Sequence, residues 1–109
     1  MKLTGIPFEI QDLSQLPPTR HAGERGFALW RTREVGNVRV RLVEYSAGYL
    51  ADHWCKRGHV LHVLEGDLLT ELADGRSFKL GAGQTYLVAD DDGAHRSSTA
   101  SGVRLFIVD

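Results

Sequence analysis

Cysteine is nearly absent from this sequence, with one residue, Cys55, among 109. A single thiol cannot close an internal disulfide, so the fold must rest on its apolar core. The same scarcity points to a reducing, cytoplasmic compartment and leaves Cys55 free for metal or redox chemistry. Proline is also scarce, with three residues, two of them adjacent at Pro17 and Pro18. Long apolar runs are missing, and the opening segment through Pro7 gives way to acidic and polar residues. No membrane-spanning or signal segment is therefore expected, and no membrane partner. Nor does either charge dominate: 13 Lys and Arg stand against 14 Asp and Glu, for a formal net charge of −1. With the basic residues dispersed along the chain, nothing favours nucleic acid or an anionic surface as partner.

What remains suits one small globular domain, 42% hydrophobic and 25% charged, with no room for two cores. The patterning is that of strands. Val38 to Tyr45 begins in strict alternation, His59 to Glu65 is an apolar run rich in Val and Leu, and Val103 to Val108 closes the chain. Glycines at Gly66, Gly75, Gly81, Gly83, Gly93 and Gly102 punctuate the intervals as tight hairpins require. Many short strands with such punctuation predict an all-β barrel or sandwich. Residues 1–26 break the pattern, because Asp12 to Arg20 has no sustained period. They are read as an irregular arm with at most one helical turn, packed on a barrel of residues 27–109 and covering one of its edges.

The chemistry-bearing residues cluster. Between Gly48 and Gly66 lie His53, His59, His62 and the lone Cys55, and His95 follows after a further Gly-rich hairpin. Imidazole and thiolate are the side chains that zinc and its neighbours bind most readily, so the cluster marks a metal site. On a strand His53 and Cys55 point the same way, and a turn at Lys56-Arg57-Gly58 brings His59 back beside them. His62, odd in parity to His59, faces the opposite side and is assigned to packing or hydrogen bonding.

This arrangement resembles the cupin superfamily. The first cupin motif is matched by Gly48, His53, Cys55, His59 and Gly66, and the second by Gly83 and His95. Cys55 stands in place of a His and His59 in place of a Glu, so one kind of metal ligand replaces another. Asp90 and Asp92 stand at the Pro and Gly positions and Thr99 at the Asn position. The run Asp52-His53-Trp54-Cys55 is further similar to a narrow group of single-domain cupins named for Asp, His, Cys and Trp at this motif. The resemblance implies a cupin-type jelly-roll β-barrel, or double-stranded β-helix, with the irregular arm outside it. It also implies a divalent metal held at the barrel mouth by His53, Cys55, His59 and His95, and a homodimer.

Three imidazoles and a thiolate form a soft set that suits zinc, with iron or nickel as alternatives. The expected function is a metal-dependent enzyme doing non-redox Lewis-acid chemistry on a small polar molecule. A metal-stabilised binding or sensing module and an iron-dependent oxygenase are the competing readings, and no catalytic residue is assigned. A metal-free alternative makes Cys55 a nucleophile with His53 or His59 as base. Arg39 and Arg41 share a strand face, by default solvent-facing; turned inward, Arg41 would clamp a substrate carboxylate. Asp90-Asp91-Asp92 lacks the spaced oxygen ligands of a calcium loop and reads as a solvated turn. Trp30, Trp54, Tyr45, Tyr49 and Phe106 are expected in the core or at a dimer interface.

Overall fold

A computed structural model describes residues 2–109. After a single 3₁₀ turn at Leu13–Gln15 come eight strands: β1 (Thr19–Ala22), β2 (Phe27–Val35), β3 (Val38–Tyr45), β4 (His59–Leu72), β5 (Ser77–Gly81), β6 (Thr85–Val88), β7 (His95–Ser98) and β8 (Val103–Val108). All pairings are antiparallel. The order is β1-β2-β3-β8-β4-β5, with β6 and β7 also on β4.

The long strand β4 explains how the sheet folds over itself. Its first half pairs with β8 and β6, and its second half pairs with β5 and β7. Between them the register against β8 slips at Val63 to Glu65, a bulge that bends the strand and lets one chain segment serve both layers. Gly66 follows at φ +84°, where a Cβ would stand 2.3 Å from the Gly102 carbonyl oxygen, so only glycine passes this corner. The result is a jelly-roll β fold. Alternation places Val103, Leu105 and Ile107 of β8 inside with Val43, Leu61, Val63, Leu68 and Leu80, the buried core between the layers.

The N-terminal segment is partly as expected. Asp12 caps the 3₁₀ turn through its carboxylate and the Ser14 amide (3.0 Å), and Glu9 holds Arg33 of β2 with two bonds of 2.8 and 2.9 Å. Residues 19–22, however, are not irregular: they form β1 and extend the sheet beyond β2, covering its edge with backbone hydrogen bonds. Local periodicity could not reveal this, because a four-residue strand becomes ordered only by its partner. Among the described residues, no helix is long and apolar enough to cross a membrane.

Candidate metal centre

One end of the sandwich opens into a cavity of about 280 Å³, and His53, Cys55, His59 and His95 all line it. The elements that bring them there differ from the expected hairpin. Asp52 and His53 form a bend, and Cys55 makes an isolated bridge to His95 of β7, with both backbone bonds formed (2.8 and 2.9 Å). Strand alternation therefore does not govern His53 and Cys55; the pairing to β7 does, setting the Cys55 and His95 side chains next to each other on one face. His59 opens β4 directly after Gly58. A Cβ at Gly58 would stand 2.4 Å from the Asp90 amide nitrogen, and its own N–H donates to the Asp90 carboxylate at 2.6 Å. Asp90 is thus a latch between two loops, while Asp91 takes the left-handed turn conformation (φ 57°).

At the centre, Nε2 of His59 and Nε2 of His95 are 3.1 Å apart, the rings nearly perpendicular at 81°. The contact is a hydrogen bond between the rings, and its length is close to the roughly 3.3 Å that separates two imidazole nitrogens bound to one zinc-type ion at a tetrahedral angle. Behind the pair, His59 Nδ1 is buried without a hydrogen-bond partner, with Asp109 Oδ2 3.5 Å away on the side from which a carboxylate would support a ligating histidine. His95 is 3% exposed and its Nδ1 is buried without a partner. Hydrogen bonding from His95 holds the Cys55 thiol below its usual range, against the upward push of burial.

His53 stands apart. Its side chain is 68% exposed at the cavity mouth, with Nδ1 held by Asp52 at 2.6 Å. Among the described residues no three His, Cys, Asp or Glu side chains are arranged as they stand to hold an ion. The donor chemistry nonetheless fits one: two imidazole nitrogens 3.1 Å apart, an adjacent acidified thiol, and a third imidazole at the mouth, held by Asp52.

The cavity wall also holds Tyr86, which the sequence did not single out, and Arg41, which it did, with Asp109 behind them. The Tyr86 hydroxyl is 2.8 Å from His59 Nε2, and burial raises its pKa, so the phenol keeps its proton. Arg41 points inward at 6% exposure, the orientation of the carboxylate clamp rather than the solvent-facing default, and stacks its guanidinium 4.5 Å over Trp30. The Asp109 side chain lies 1% exposed beneath it, bonded to Arg41 (2.9 Å) and doubly to Arg39 (2.8 and 3.0 Å). Burial would raise the Asp109 carboxyl, but the His59 ring 3.5 Å away, the bonds from Arg39 and the charges of Arg41 and Arg39 outweigh it and hold the group well below the usual carboxylate range. A signal for Asp109 existed: Val103, Leu105 and Ile107 face inward, and the next residue of that parity is Asp109.

Other assignments divide. His62 does face away, bonded to Thr85 at 2.7 Å. Tyr45 and Tyr49 stack at 4.1 Å beside the cavity, whereas Trp54, after the bend at residues 52–53, is 41% exposed under Arg96, which leaves it the interface half of its assignment.

No protein-family model matches the chain, and no curated protein matches it significantly. Solved structures do. A cupin-2 domain protein from Shewanella frigidimarina is 20% identical with a TM-score of 0.60, covering 73% of this chain and 78% of its own. A predicted oxalate decarboxylase from Thermotoga maritima is 14% identical at TM-score 0.74, covering 92% and 96%. The Fe(II) form of HppE is 14% identical at TM-score 0.75, covering 94% of this chain and 60% of that one. Likeness at these identities establishes the fold, and the chain has the cupin fold.

Proposed function

We propose that this chain is a small metal-binding cupin whose ion is held by His59 and His95, with Cys55 and His53 completing the set, and that it acts on a small polar molecule. The observation that carries the reading is the pair of Nε2 atoms 3.1 Å apart in a cavity, backed by Asp109. A divalent ion of the zinc type supplies Lewis acidity there when bound, polarising a carbonyl or lowering the pKa of a bound water. The soft donors favour zinc, with iron or nickel next.

The chain's own residues do the rest. Asp109, 3.5 Å from His59 Nδ1, would favour a proton on that nitrogen and so leave the Nε2 lone pair for the cavity. Tyr86 retains its hydroxyl proton, and once the His59 Nε2 lone pair is committed elsewhere that proton is free to be donated to a ligand. Trp30, Leu61 and Ile107 line the cavity and limit water around the reacting group.

Cobalt(II) loading of the metal-free protein tests the reading. An intense sulfur-to-metal charge-transfer band that disappears in Cys55→Ser is expected. Its absence in the unsubstituted protein removes Cys55 from the ligand set and favours an iron-type site instead, and failure to take up cobalt at all refutes the metal reading.

A further inference from the structure

The charges around the cavity do not balance. Arg39, Arg41, Arg57 and Arg96 line it, and no Asp or Glu does. Arg96 is matched outside the cavity by Glu71 (3.7 Å) and Glu24 (3.9 Å). The other three converge on Asp109, at 2.8 Å from Arg39, 2.9 Å from Arg41 and 3.6 Å from Arg57. Among the described residues no second carboxylate lies within salt-bridge distance of these three, so three guanidinium groups share one side-chain carboxylate. Arg41 is buried and its Nε has no hydrogen-bond partner. A buried guanidinium that shares its one carboxylate with two others is only partly neutralised, which is costly, and a ligand anion would complete its pairing.

We infer that the cavity binds a small carboxylate with an otherwise uncharged body, its anionic end on Arg39, Arg41 and Arg57. Guanidinium forks match a carboxylate through paired N–H bonds, and the two bonds of Arg39 to Asp109 already display that geometry at this spot. Because the Asp109 side chain is 1% exposed and taken up by the arginines, and no Asp or Glu lines the cavity, an ammonium group on the ligand would find no free counter-charge there. The wall beyond the arginines is aromatic and aliphatic at Trp30, Tyr86, Leu61 and Ile107, which suits an uncharged remainder. The inference names the substrate class for the function proposed above and shares its cavity, but its carriers are the arginines and not the histidines.

The test is an NMR titration of ¹⁵N-labelled protein, metal-free and zinc-loaded, that follows the arginine Nε–H signals. Sodium lactate is the probe, with lactamide, alanine, sodium phosphate and sodium chloride at matched ionic strength for comparison. Saturable shifts are expected with lactate, and little with lactamide, alanine or chloride. Arg57→Gln, at the solvent-exposed mouth, should weaken lactate binding by up to about fivefold, and Arg39→Gln by roughly tenfold or more. Should Arg39→Gln fail to fold, Arg57→Gln decides alone. Equal response to lactamide or alanine, tighter binding of phosphate than of lactate, or no effect of the arginine substitutions overturns the inference. Lactate binding through these arginines in a protein that takes up no metal would keep it and sink the metal reading. Metal uptake with lactate and lactamide indistinguishable would do the reverse.

Discussion

Replacing Asp109 by Asn keeps the shape of the side chain and removes its charge. In the folded chain that charge is the sole ionic partner, among the described residues, of Arg39, Arg41 and Arg57, and it lies 3.5 Å from His59. Arg41 is the sensitive member, since its side chain is 7% exposed and cannot recover its hydration without unfolding the sheet. Breaking a buried pair from one side costs about 3–5 kcal/mol. Taking the low end, because Arg39 and Arg57 can turn toward water, and about 4–8 °C per kcal/mol for a domain of this size, Tm should fall by roughly 12–24 °C. The pH dependence carries the same information. A carboxyl whose folded pKa is depressed contributes stability that is fully present above its unfolded value, about 3.9, and is lost as pH falls below that toward the folded value. Thermal unfolding followed by circular dichroism between pH 7 and pH 3 should therefore show a steep loss below about pH 4 in the original protein, and a shallower one in Asp109→Asn. An Asn variant with unchanged Tm and the same acid slope would refute the account of Asp109 as the anionic keystone of the cavity.

His59→Ala and His95→Ala should each lower the bound metal sharply, as measured by elemental analysis, while the β-sheet circular dichroism persists; His53→Ala should also lower it. Full metal in the His95 variant would remove β7 from the site. Gly58→Ala should destabilise by about 1–3 kcal/mol, read as a lower denaturation midpoint, because its Cβ would press on the Asp90 backbone at 2.4 Å; an unchanged midpoint would show that the loops at residues 58 and 90 can part. A homodimer is proposed from the outer face of the sheet, where Leu87 is 75% and Leu64 42% exposed. Light scattering should give twice the 12.1 kDa chain mass, and the monomer mass at micromolar concentration would exclude it.

The strands were legible because burial on one face imposes a period of two that the sequence must write out. Val38–Tyr45 and Val103–Val108 are read from alternation and glycine punctuation with their observed bounds. The four candidate ligands were equally visible, since imidazole and thiol are rare enough that their clustering stands out. What the sequence left open was how they meet. Cys55 faces His95 through a bridge between segments 40 residues apart, and nothing local at Cys55 encodes its partner. The same holds for β1, which is a strand only because β2 is beside it, and for Tyr86 and Asp109, whose roles come from what lies across the cavity.

The sequence by itself determined the class of fold and the chemistry on offer, because both follow from residue type and period along the chain. Only the tertiary structure decided which nitrogens share a point in space, that Arg41 turns inward, and that three arginines draw on one carboxylate. Those facts depend on β3, β4, β7 and β8 converging at one end of the sandwich. Such convergence is set by long-range register, and register leaves no mark on any single stretch of sequence.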